Sequence, residues 1–152
     1  MSEVVLIVGV GPGLSSSIAR LCASRKMKVI LAARDIKKLE NLKKEIDAIT
    51  ISCDASDIKS VRNLFKEIDK IGVPNLVIYN PSIRVKGSIT EIDAIKVQKA
   101  INVTCFGAFL ISQEASKRML ERKSGSIFCL RTRRSGKRLI RESSVLKYPS
   151  CR

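Results

Sequence analysis

Histidine is absent from the sequence, and its five cysteines (Cys22, Cys53, Cys105, Cys129 and Cys151) contain no Cys-x-x-Cys pair. Together these absences remove the familiar zinc donor sets, and an odd number of widely spaced thiols makes no disulfide framework. Reduced, mostly buried thiols are therefore expected. Long proline, serine and glutamine tracts are also missing, as are internal repeats and any interdomain linker. Disordered, fibrous and repeat classes fall away on those grounds. The N-terminal Met1-Ser2-Glu3 has no basic run and passes straight into Val4–Val8, too short for a signal-peptide core or a membrane span. A soluble cytoplasmic protein without a membrane partner is the resulting expectation. Acids are scarce, 14 Asp and Glu against 29 Lys and Arg, for a formal net charge of +15.

So basic a chain would ordinarily point to nucleic acid, but the charge is unevenly placed. Residues 130–152 hold eight basic residues (Arg131, Arg133, Arg134, Lys137, Arg138, Arg141, Lys147, Arg152) against one acid, Glu142. Earlier in the chain the bases lie beside acids on helix-like segments, as in Lys37-Lys38-Leu39-Glu40, the pattern of a solvated helix face. No nucleic-acid stripe is visible in residues 1–129, and a nucleic-acid partner is not expected.

What is present is one domain's worth of chain, 152 residues that are 45% hydrophobic. Val4–Val8, Val29–Ala32, Ile49–Cys53, Leu76–Tyr79 and Ser126–Leu130 are short apolar or β-branched runs, expected to be strands buried on both faces of a parallel sheet. Between them lie helical stripes: Ile18, Leu21 and Cys22; Ile36, Leu39, Leu42 and Ile46; Val61, Leu64, Phe65, Ile68 and Ile71. Ser56-Asp57 caps the third of these, and Gly72 and Pro74 stop it. A longer helix is expected over about Asp93 to Glu121. Right-handed crossovers wind this βαβαβαβαβ order into an α/β, doubly wound parallel sheet of three αβα layers.

Chemistry enters at the first strand-to-helix turn, Gly9-Val10-Gly11-Pro12-Gly13-Leu14-Ser15. A backbone that turns sharply and lets a pyrophosphate approach the amides of a helix N-terminus cannot carry side chains at those points. Glycine spacing alone also fits a plain tight turn. Its place after the first buried strand, within a βαβ unit of about thirty residues, favours the dinucleotide reading. A Walker phosphate loop is excluded by the missing Gly-Lys-Ser/Thr.

With that turn, the chain resembles the short-chain dehydrogenase/reductase family and its Rossmann-type fold. Gly9 and Gly13 match the family's G-x-x-x-G-x-G, with Ser15 standing at the last glycine. Ala33-Arg34 resembles the NADP-preferring form, because an acid at the place of Ala33 would repel a 2′-phosphate and Arg34 offers a charged fork to bind it. The competing account of Arg34 is a solvated arginine beside Asp35. Cys53-Asp54-Ala55 resembles the family's adenine-contacting aspartate motif. Tyr79-Asn80-Pro81-Ser82 resembles its N-N-A-G segment with only the second Asn kept. Asn102, in the long helix, stands where the family's helix asparagine holds a water in the proton relay; a buried polar role is the alternative. The resemblance thus implies that NADP(H) is held by Gly9, Gly11, Gly13, Leu14, Ser15, Arg34, Asp54, Ala55 and Asn80, with Asn102 catalytic, and that a small carbonyl or alcohol is the substrate.

Past the fifth strand the resemblance stops. The family's catalytic Ser and Tyr-x-x-x-Lys are not found, and the only Tyr-x-x-x-basic match is Tyr148 to Arg152, interrupted by Pro149. Two units are therefore expected: residues 1–129, an NADP(H)-binding Rossmann domain truncated after its fifth strand, and residues 130–152, an irregular basic tail. Residues 1–129 hold fourteen Lys and seven Arg, the tail two Lys and six Arg. So abrupt a change inside a strand points to a shifted reading frame or a misjoined end, and to impaired catalysis. Reading the coding DNA in the other two frames beyond Cys129 should reveal a Ser and a Tyr-x-x-x-Lys. Early stops in both frames, together with carbonyl reduction by the purified chain and NADPH, would refute a shifted, spliced or misjoined end.

Overall fold

The computed structural model describes residues 3–130. Its elements, in chain order, are β1 (Val4–Val8), α1 (Leu14–Ser24), β2 (Lys28–Ala33), a 3₁₀ turn (Ile36–Leu39), α2 (Glu40–Ile46), β3 (Ile49–Ser52), α3 (Ile58–Asp69), β4 (Leu76–Tyr79), α4 (Ala94–Ile101), a π turn (Asn102–Phe106), α5 (Gly107–Arg122) and β5 (Ser126–Cys129). All four strand pairings are parallel and the order is β3-β2-β1-β4-β5. The doubly wound α/β class read from the sequence is thus the observed one. Residues 131–152, with Tyr148 and Arg152, lie outside the described range.

Successive side chains of a strand point to opposite faces, so β1 feeds two cores at once. Leu6 and Val8 join Val61, Leu64, Phe65, Ile68, Leu110 and Ile111 on one side of the sheet. Val5 and Ile7 join Ala19, Leu31, Leu39 and Leu42 on the other. Burial on both faces holds for β1, β2 and β4 but not for β3 and β5. Those two are the outer strands of the described sheet, and each lacks a neighbour on one side.

The α3 stripe is buried as its spacing predicts, and Asp57 caps the helix, its carboxylate accepting from the Ser60 amide at 2.7 Å. Helix α1 departs from expectation. Its inward face is Ser15, Ala19 and Cys22, while Leu21 is 54% exposed. The inward positions follow i, i+4, i+7, and small side chains there bring the helix close to the sheet. Of the four thiols described, Cys22 and Cys53 are buried and Cys105 and Cys129 are exposed. The expectation of mostly buried thiols therefore fails at α5's entry and at the outer strand β5.

The long helix starts at its Asp93 cap and runs from Ala94 to Arg122, broken by the π turn. By length and composition this stretch is apolar enough to cross a membrane. In the fold its Leu110, Ile111, Ala115 and Met119 are core residues. Arg118 fixes the helix to α3: its guanidinium lies 2.6 and 2.7 Å from the Asp69 carboxylate, 3.0 Å from Glu114, and 4.9 Å from the centre of the Phe65 ring.

Candidate functional site

The strand order reverses direction at β1, whose two neighbours β2 and β4 lead into different halves of the sheet. A crevice opens at such a switch point, beyond the carboxyl ends of the strands. The Gly9 amide donates to Ala32 O and the Asn80 amide to Val8 O, both at 2.9 Å, so the ladder continues one residue beyond β1 and β4 into the loops. A cavity of about 420 Å³ lies there. Gly9, Gly11, Leu14, Ser15, Arg34, Ala55 and Asn80 line it, while Gly13, Asp54 and Asn102 do not.

The three glycines have different physical reasons. Gly9 has φ +81°, and a Cβ on it would stand 2.6 Å from Pro81 Cγ. Its constraint is the packing of the β4 loop, a partner that neither the ligand reading nor the plain-turn reading of the sequence named. Gly13 has φ +146° and ψ −133°, a conformation open to glycine, and precedes the first turn of α1. No atom lies within 4 Å of a Cβ built on Gly11 or Gly13. The backbone at these two positions is therefore accessible from outside, as close approach of a phosphate to a helix N-terminus requires.

Ser15 is buried, and its hydroxyl donates to Gly9 O at 3.2 Å while accepting from Asn80 Nδ2 at 2.8 Å. Serine here does more than fit where glycine is usual, since it joins the two loops that form the cavity wall. Ser16, which the sequence reading passed over, donates to Gly11 O at 2.7 Å and pins the same turn. A serine hydroxyl bonding backwards to a loop carbonyl is a common local motif. Its partner depends on the loop's path, which periodicity does not encode.

Arg34, Asp35 and Lys38 line the end of the cavity beyond β2, and Ala33 leaves that wall without an acid at the strand end. Cys53 and Ala55 continue the wall. Burial pushes the Cys53 thiol up to about 11, so it stays neutral and unreactive. Asp54 turns aside from the wall: its Oδ1 accepts from the Ser56 hydroxyl at 2.6 Å and the Ser56 amide at 2.9 Å. The Ser56 hydroxyl holds this carboxyl below the usual aspartate range. It is therefore ionised at neutral pH.

Asn102 is exposed and opens the π turn, which rules out the buried polar role. Its neighbour Val103 is the residue of that turn on the cavity wall. Because the Gly107 amide donates to Asn102 O, five residues back, the α-helical ladder is broken here. The Tyr79 hydroxyl, at the end of β4, donates to Val103 O. Burial, chiefly, pushes the pKa of the Tyr79 hydroxyl above the usual tyrosine value, so it remains a neutral donor. Gly107 makes the contact possible, since a Cβ there would meet the Tyr79 hydroxyl and stand 2.7 Å from Ala55 O. Among the described residues no group of His, Cys, Asp or Glu could hold a metal.

A family model described as short chain dehydrogenase matches residues 3–139, a span that runs past the last described residue. Among solved structures, an actinorhodin polyketide ketoreductase with NADPH is 24% identical, with a TM-score of 0.78 over 83% of this chain and 51% of that one. A short-chain dehydrogenase from Rhodopseudomonas palustris is 24% identical, with a TM-score of 0.77 over 83% and 62%. A metagenomic short-chain oxidoreductase in complex with NADP is 23% identical, with a TM-score of 0.79 over 82% and 60%. The chain thus spans about half to three-fifths of the length of these proteins.

Alanine at position 107 would gain up to about 1 kcal/mol of helix propensity. The backbone oxygen of Ala55 cannot move aside as a flexible side-chain end would, so overpacking of about 1–3 kcal/mol should win. Gly107→Ala is expected to lower the urea midpoint of unfolding. A raised midpoint would show that the helix can shift away from the sheet.

Proposed function

The chain belongs to the short chain dehydrogenase family, and from that membership we propose that it binds NADP(H) in the cavity at the ends of β1, β2 and β4. Four features support this reading. Gly11 and Gly13 leave open backbone at the start of α1, where amide donors suit the pyrophosphate. Asn80, held by its hydrogen bond to Ser15, lines the cavity where the ribose would lie in this reading. Ala55 and Val103 line the part of the cavity that this reading gives to the adenine. Two similar structures were solved with NADPH or NADP.

The observation that carries the choice of NADP(H) over NAD(H) is Ala33-Arg34 on the cavity wall. A guanidinium pairs with phosphate through parallel charge-assisted hydrogen bonds, and position 33 carries no carboxylate, the acid of that wall being Asp35 on the far side of Arg34 in sequence. When bound, the nicotinamide dinucleotide supplies hydride exchange with a small carbonyl or alcohol. This chain's own part is to bind and orient it, with Asn102 at the π turn as the matched member of the proton relay.

No Tyr-x-x-x-Lys occurs in these residues, and the proposal for them is accordingly cofactor binding rather than a complete hydride-transfer site. A dinucleotide-binding fragment without turnover is the second reading. The two differ in whether any carbonyl in a substrate panel oxidises NADPH in the presence of the protein. A soluble, cytoplasmic location belongs to the same proposal.

Arg34→Asp replaces a phosphate partner with a repelling charge. It should raise the Kd for NADPH by at least about tenfold, the equivalent of 1.4 kcal/mol, and change NADH affinity little. Fluorescence titration of both cofactors reads the difference, and equal losses would remove the basis for choosing NADP(H).

A further inference from the structure

The phosphate end of the cavity carries one more charged group than the Ala33-Arg34 motif accounts for. Lys38 reads from the sequence as part of a solvated helix face, yet it lines the cavity together with Arg34 and Asp35, whereas Lys37 does not. The 3₁₀ turn Ile36–Leu39 brings it there. Asp35 caps that turn, its Oδ1 accepting from the Lys37 amide at 3.1 Å, and Lys38 folds back so that its ammonium is 3.4 Å from Asp35 Oδ2.

Charge balance decides what this lysine does. A phosphate monoester carries about −1.5 to −2 at neutral pH. Arg34 and Asp35 on the same wall cancel, and by themselves they would present a neutral surface to a dianion. Lys38 makes that end of the cavity net positive. It is 81% exposed, so its pairing with Asp35 is weak and easily exchanged for a stronger anion.

Resting on the NADP(H) reading, we propose that Lys38 is a second specificity-determining residue. It leaves Asp35 and pairs with the 2′-phosphate opposite Arg34. Asp35 is then the residue that limits NADPH affinity, as a fixed negative charge beside the phosphate.

The intact chain and single variants, titrated with NADPH and NADH at low salt, test this directly. Lys38→Met should raise the NADPH Kd about tenfold and leave the NADH Kd unchanged, and the NADPH Kd should become less salt-dependent. Lys37→Met should match the wild type. Asp35→Asn keeps the cap but removes the charge, so it should tighten NADPH alone. If Lys38→Met binds NADPH as the wild type does while Arg34→Asp loses it, the role of Lys38 is refuted and the NADP(H) reading stands. If the wild type itself binds NADH as tightly as NADPH, both are refuted.

Discussion

Everything at the cavity depends on how closely the loop after β1 approaches the end of β4. Gly9 has no Cβ, and Pro81 occupies the space one would need. That contact brings Ser15 within hydrogen-bonding distance of both Gly9 O and Asn80 Nδ2. The two loops on either side of the switch point are thereby held as one unit. Any larger residue at position 9 would separate them and open the wall before any ligand arrived. The parallel sheet supplies the approach angle, and the packing of β1 into two cores keeps it rigid.

A second contact sets the opposite wall. Tyr79 reaches from β4 into the π turn, and Gly107 lets the helix come near enough to receive it. The helical ladder is broken in that turn, and Val103 O accepts from the Tyr79 hydroxyl. Buried polar groups need partners, so the tyrosine and the distorted turn stabilise each other. Where the family pattern has an asparagine, this chain has a side chain long enough to span sheet and helix. Ala55 and Val103 of the cavity wall are thus held by a contact between Tyr79 and Gly107 behind them, residues far apart in sequence.

How much of this was legible beforehand follows from the range of the interactions. Strand runs and the α3 stripe are local and periodic, and the sheet class was read correctly from them. The glycine turn was legible because its position in a βαβ unit restricts what it can be. Of the apolar stripe Ile18, Leu21 and Cys22, Cys22 is buried and Ile18 packs against the core, but Leu21 was misassigned, because the buried positions are Ser15, Ser16, Ala19 and Cys22. Small polar residues give no hydrophobic signal, and serine faces inward here by bonding to backbone oxygens. Asn102 was placed in the right helix, yet its exposure could not be read without the π turn that rotates its neighbours. Gly107 was overlooked because its constraint comes from Tyr79 and Ala55, partners no periodicity reveals.

The central claim is that the cavity at the ends of β1, β2 and β4 is where a nicotinamide dinucleotide sits. Amide hydrogen exchange with and without saturating NADPH measures that location directly, residue by residue. The account predicts slowed exchange at Gly9 to Ser15, around Arg34 to Lys38 and at Cys53 to Ala55, with α3 from Ile58 to Asp69 unchanged. Saturation with no protection in the Gly9 to Ser15 turn, or protection confined to other parts of the chain, would contradict it.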